Sequence, residues 1–287
     1  MFAHEFVRNA YLAGTAIALA CGVIGWFVLL RAQLFAGDAM SHFAFVGAVG
    51  AAAAGIDLRI GLFSVTIWLA GAMAALGRQG AADDTVIGIV FAWVLGIGVL
   101  LLAVLAGSSA GGDAVTASST LFGGIYALSA SGSELAAGIA LLVIAAVAAI
   151  FRPLLLSTLD SELAVLRGVP VRALGGGFLG LLAIVAAEST QAVGALLLLG
   201  LLSAPAGAAH KLTASPYRGV ALSAALAVAA MWGGLALSYA VPALPPSSAI
   251  IGLAAAGYAG TSAGSALRRV RRPRGGIRGD ASVTISM

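Results

Sequence analysis

From Ala10 to Leu30 the chain runs for about 20 residues without a charged side chain, the length that carries a helix across a bilayer. His4, Glu5 and Arg8 precede the run, and no small-residue cleavage site with a mature soluble domain follows it. The stretch therefore predicts a retained first span rather than a cleaved leader.

The pattern recurs. Further apolar runs cover Ala32–Gly55, Gly61–Gly77, Thr85–Gly107, Glu134–Phe151, Ala173–Ala187, Val193–Ala209, Val220–Val241 and Ala249–Leu267. The sixth and seventh runs are short and separated only by Glu188 to Ala192, so a re-entrant pair and a count of eight stay open. Only 9% of the residues are charged and 61% are hydrophobic. A soluble domain carries about a quarter charged residues, so lipid is the solvent for most of this chain. The 39 glycines, with many alanines, let helices approach backbone to backbone. The expected fold is an all-α integral membrane protein, a polytopic bundle of about nine transmembrane helices.

Basic residues orient that bundle. With the N-terminus outside and the C-terminus cytoplasmic, nine spans place Arg31, Arg78, Arg152, Arg167, Arg172, Lys211, Arg218 and the six arginines from Arg268 to Arg278 inside. That is 13 of the 15 basic residues, with Arg8 and Arg59 left outside. The net charge of +4 is thus accounted for by topology, and no nucleic acid is needed as a partner. The organisation expected is a transmembrane domain over residues 1–267 and a basic, Gly-rich, disordered cytoplasmic tail over 268–287, able to touch anionic lipid. Two connections stand apart: Ser108 to Ser133 on the outer face, and the polar, helix-permissive stretch 152–172 on the cytoplasmic face.

Little in the chain reads as catalytic machinery. No phosphate-binding loop of the G-x-x-x-x-G-K-[ST] type occurs, and the one lysine, Lys211, follows His210. Cys21 is alone and reads as a small packing residue. The chain is expected to be no enzyme. The informative cluster is Gly37-Asp38-Ala39-Met40-Ser41-His42. On a helix starting after Arg31, at a rise of ~1.5 Å per residue, Asp38 lies about 10 Å along and His42 about 16 Å. Residues four apart share one face, so a carboxylate and an imidazole there can reach one divalent cation such as zinc or manganese. The imidazole tilts that reading slightly to zinc. Two ligands leave a site incomplete, and a second copy across a dimer axis would supply two more. Pairing of Asp38 with His42 or with neighbouring helices is the plain structural alternative.

On the cytoplasmic side, Asp160-Ser161-Glu162-Leu163-Ala164, then Arg167 and Gly168-Val169-Pro170, reads as a short helix. Asp160 caps it, Glu162 occupies its first turn and a glycine turn closes it. Such a helix can dock a soluble partner or simply link two spans. Glu188, at the turn expected between the sixth and seventh spans, is a candidate for capturing external cations, though an exposed loop carboxylate is the simpler reading. Asp83 and Asp84 read as the start of the fourth helix.

These residues resemble those of the permease subunits of bacterial zinc and manganese ABC importers, the metal-specific ABC-3 family. Gly37-Asp38-Ala39-Met40-Ser41-His42 with Gly47 is similar to that family's G-D-x-x-[SA]-H segment, and Asp83 to Ile89 to its acidic lead-in. Leu121-Phe122-Gly123-Gly124-Ile125 resembles its external element, and Asp160 to Pro170 its coupling segment. Gln191-Ala192-Val193-Gly194 and Pro205-Ala206 match its later motifs. Phe43, and Pro245-Pro246-Ser247-Ser248, depart from its pattern. The resemblance covers residues 10–265.

It implies a multi-pass protein of the bacterial cell membrane, one of two permease copies working with two cytoplasmic ATPases and an extracytoplasmic metal-binding protein. Zinc or manganese would be the transported substrate, with no permanently bound cofactor and ATP held on the partner. Asp38 and His42 carry over as metal ligands, and Asp160, Glu162, Leu163, Ala164, Arg167 and Gly168 as the contact with the ATPase. A permease for siderophore or corrinoid chelates, and a secondary cation transporter or channel using Asp38 as a relay, are the alternatives.

Overall fold

Helices form wherever the apolar runs allow, because a chain in lipid must satisfy its backbone within each segment. The computed structural model describes residues 5–77, 84–107, 123–195 and 198–271. In chain order these hold α1 (Glu5–Leu30), α2 (Leu34–Ala54), α3 (Leu58–Leu76), α4 (Asp84–Gly107), a 3-10 turn (Ile125–Ala127) and α5 (Ala130–Leu159). Then come α6 (Ser161–Leu166), α7 (Val171–Ala192), α8 (Leu198–Leu212), α9 (Pro216–Ala240) and α10 (Pro246–Arg271). There is no strand among the described residues.

Seven of these helices, α1 to α5, α7 and α9, are long and apolar enough to cross a membrane. Each of the nine runs read from the sequence has become a helix. Two are not among the seven: α8, with 15 residues, and α10, whose second half carries Thr261, Ser262, Ser265 and arginines. Boundaries moved as well. The third helix begins at Leu58, so Arg59 lies in its first turn rather than in a loop. The fifth runs to Leu159, so residues 152–159 of the stretch expected to be a connection are helical. Asp83, Leu121, Phe122 and the tail beyond Arg271 lie outside the described residues.

α1 and α2 form the centre. Val7, Ala13, Ile17, Cys21, Ile24 and Phe27 of α1 are all but fully buried, as are Met40, Phe43, Ala44, Ala48 and Val49 of α2. α4 and α5 lie at the edge and show Trp93, Leu100, Leu141 and Leu142 outward, apolar surface suited to lipid or another chain. Small residues set the spacing. A Cβ on Gly47 would strike the carbonyl of Gly61, and one on Gly61 would strike that of Gly47, so α2 and α3 touch backbone to backbone. Cys21 packs as expected, buried, with its Sγ 3.2 Å from Ser189 Oγ.

The end of α1 is unusual. The amide of Ala32 donates to the Leu29 carbonyl and that of Gln33 to the Val28 carbonyl, a closing turn that normally takes glycine at its left-handed position. Here Ala32 occupies it, at φ 54°. A non-glycine residue there costs about 1–2 kcal/mol.

Candidate functional site: a carboxylate–imidazole pair between two ends of the bundle

Asp38 and His42 stand on one face of α2, in its first half. Asp38 Oδ1 lies 4.0 Å from His42 Nε2, too far for a hydrogen bond. A cation held by both at about 2.0–2.2 Å needs them roughly 2.8–3.6 Å apart at octahedral or tetrahedral angles, so a modest side-chain rotation closes the pair on one ion. Both side chains are partly open, 28% exposed for Asp38 and 16% for His42. Ser41 Oγ donates to the Asp38 main-chain carbonyl at 2.7 Å.

Phe91 of α4 covers the imidazole edge to face, ring centres 5.2 Å apart, and also meets Phe35 and Phe43. Phe43, bulkier than the resembled pattern, is fully buried beneath this contact. Among the described residues no group of three His, Cys, Asp or Glu comes together, so this face offers two metal ligands. Zinc takes four ligands and manganese more, leaving the rest to water or to another chain.

Glu188 is not where the sequence reading put it. It lies inside α7, not in a turn, and its side chain is only 4% exposed. The helix continues through it with Glu188, Ser189 and Gln191 bonded to neighbouring helices, and with the Thr190 hydroxyl donating to the Ala186 carbonyl of α7 itself. Arg59 Nη2 donates to Glu188 Oε1 at 2.7 Å and to the Gly132 carbonyl at 3.3 Å, while its Nε donates to Gln191 Oε1 at 3.2 Å. A carboxylate so engaged is not a free trap for cations. What the structure corrects is the place of Glu188, in the last turns of α7 rather than in an exposed turn. Arg59 is the residue the sequence missed, and its single signal was its position as a lone cation at the far end of α2 from Arg31.

The same end joins two motifs that are far apart in sequence. The amide of Gly124 donates to the Gln191 carbonyl at 2.9 Å. Gly123, at φ 74°, lies so close to Ala192, Val193 and Gly194 that a Cβ would collide with their backbone. Beside them opens a cleft of about 560 Å3, lined by Asp57, Arg59, Gln191 and Ser129 among others.

At the opposite end lies the short helix α6. Asp160 serves as both the last cap of α5 and the first of α6: its amide donates to the Leu156 carbonyl and its Oδ1 accepts from the Leu163 amide at 2.8 Å. Gly168, at φ 74°, closes α6, its amide donating to Val165 while that of Val169 donates to Ala164. Ala164 is fully buried against the bundle, whereas Glu162, Leu163, Val165, Leu166, Arg167 and Gly168 are exposed. Leu166 is 84% exposed, a large apolar side chain open on this face.

Comparison with known proteins gives this arrangement a family. Residues 3–263 match the model of the ABC 3 transport family, and the chain belongs to that family. It is 30% identical over 234 residues to the manganese transport system membrane protein MntC of Halalkalibacterium halodurans, covering 81% of this chain and 76% of that one. It is 30% identical over 239 residues to the manganese import system permease protein ScaB of Streptococcus parasanguinis, covering 83% of each. Its fold is similar to that of PsaBC from Streptococcus pneumoniae in complex with Fab, with a TM-score of 0.77, 27% identity, and coverage of 90% of this chain and 91% of that one.

Proposed function

We propose that this chain is the membrane permease of an ATP-driven importer that passes a divalent transition metal, manganese or zinc, across the plasma membrane of a bacterium. The observation that carries the reading is the Asp38–His42 pair: two metal-ligating side chains 4.0 Å apart, partly open, within a buried helix. Burying a carboxylate at such depth costs about 2.5–3.5 kcal/mol on insertion scales, which a transported cation can offset. The imidazole alone weighed toward zinc; the names of the relatives weigh toward manganese.

In this reading two copies face each other so that two Asp38–His42 pairs meet around one ion. The exposed face of α6, from Glu162 to Gly168, meets a cytoplasmic ATPase, which holds the ATP. An extracytoplasmic metal-binding protein delivers the ion to the Arg59 end. In this reading the nine helices that arise from the apolar runs all cross the membrane with the N-terminus outside, a topology that puts 13 of the 15 basic residues on the cytoplasmic side.

The test is metal uptake by proteoliposomes holding the complete complex. Asp38→Ala and His42→Ala are each expected to abolish uptake of manganese and zinc while the complex still assembles. Unchanged uptake in both variants would sink the ligand assignment. Uptake that continues without the ATPase and collapses with the proton gradient would favour a secondary transporter instead.

A further inference from the structure

The turn between α1 and α2 carries three features that the proposed transport site leaves unused. Arg31 reaches out of that turn in two directions. Its Nη1 donates to Thr158 Oγ1 at 3.2 Å, two residues before Asp160. Its guanidinium lies over the ring of Phe178 in α7, 5.3 Å from the centroid, at the other flank of the α6 segment. Its Nε donates back to Gln33 Oε1 at 3.3 Å, the last residue before α2.

The Thr158 hydroxyl both gives its hydrogen to the Leu154 carbonyl at 2.7 Å and accepts from Arg31. Beneath Arg31, Phe178 also meets Phe27 of α1, which meets Phe151 of α5, so the arginine rests on a packed aromatic floor. The turn itself is held out of its relaxed state. Ala32 is in the left-handed region, and Gln33 is buried with no partner for its Nε2 among the described residues. Strain and an orphaned donor at one turn mark a place kept in tension by its surroundings.

We propose that Arg31 is a positioning residue that couples the Asp160–Gly168 segment to α2, so that displacement of that segment moves the helix bearing Asp38 and His42. Arg31 alone, through three contacts, joins the residues before α6, the helix after it and the entrance to α2 among the described hydrogen-bonding side chains. The planar fork of arginine suits this role: it holds a hydroxyl, an amide oxygen and an aromatic face in fixed relative directions, which a lysine ammonium cannot do. The inference rests on the proposed transport function and adds the route by which the ATPase reaches the metal site.

The experiment uses the full complex, permease with ATPase and metal-binding protein, in proteoliposomes, and reads manganese transported per ATP hydrolysed. Arg31→Lys and Thr158→Val are compared with the unaltered complex, with thermal unfolding recorded for each. ATP hydrolysis is expected to persist within about twofold while metal transported per ATP falls about fivefold or more, in the range of ordinary coupling energies. The Lys variant is expected to fall as far as the Val variant, because charge alone does not hold the geometry.

If both variants keep the unaltered ratio of metal to ATP, Arg31 is not the coupling residue. If transport and hydrolysis fall in proportion, its role is structural and the proposal is overturned. Absence of manganese and zinc uptake by the unaltered complex would instead overturn the transport reading.

Discussion

Arg59 and Glu188, 129 positions apart in sequence, meet as a 2.7 Å ion pair with the carboxylate almost wholly buried. One guanidinium thereby ties α3 to α7 and, through the Gly132 carbonyl, to the start of α5. Removing Arg59 leaves the buried carboxylate uncompensated, which costs about 3–5 kcal/mol, while removing Glu188 leaves an arginine that is 24% exposed and costs less. Arg59→Met is expected to lower the thermal unfolding temperature in detergent sharply, and Glu188→Leu to lower it less. The double variant should be milder than the sum of the singles, and a strictly additive double-variant cycle would deny the pair its role.

Gly47 and Gly61 predict a steric effect of another kind. Each has the other's carbonyl where a Cβ would stand. Gly47→Ala is expected to push α3 off α2 and cost about 1–3 kcal/mol of stability, seen as a lower unfolding temperature. Gly177, with nothing within 4 Å of its position, is the control, and Gly177→Ala should leave the temperature nearly unchanged.

Gly168 should matter at the other end of the chain. Its left-handed backbone ends α6, and a β-branched residue there is strained by about 1–2 kcal/mol. Gly168→Val is expected to loosen α6 and weaken co-purification of the ATPase while the unfolding temperature of the bundle changes little. Retention of the ATPase at full yield would argue against α6 as its docking element.

The metal pair makes a quantitative prediction about binding. Asp38→Asn keeps the size of the side chain and removes its charge, and His42→Gln keeps a polar group without the imidazole. Each is expected to weaken manganese binding to the detergent-solubilised complex by about tenfold or more in equilibrium dialysis, since even outer-shell changes commonly cost that much. Equal affinities in all three proteins would show that the ion sits elsewhere.

What could be read in the sequence was what local chemistry decides. The capped helix from Asp160 to Gly168 follows from a side-chain oxygen three residues before an amide and a glycine in a left-handed turn, all within one stretch. The Asp38–His42 pair follows from helix periodicity in the same way. Glu188 was misplaced because its partner lies on another helix, and a carboxylate flanked by Ser189, Thr190 and Gln191 looks like a turn until that partner is known. Arg59, Arg31 and the contact of Gly124 with Gln191 were invisible for the same reason, each depending on a neighbour more than 60 positions away. The limits of α5 and α8 moved because charged or small residues near a helix end can continue or stop it according to what they pack against.

The mutual approach of Gly47 and Gly61 has a mechanical consequence. Where the two helices cross in backbone contact, no side chain of either glycine can change rotamer to let them slide. α3 is fastened in turn to α7 by Arg59 and Glu188, and Ala48 of α2, Leu62 of α3 and Ala187 of α7 fill the space where the three meet. The helix bearing Asp38 and His42 therefore travels as part of a three-helix block. Any change in access to those two side chains has to open at the seam between that block and its surroundings, and the aromatic contact of His42 with Phe91 lies on that seam.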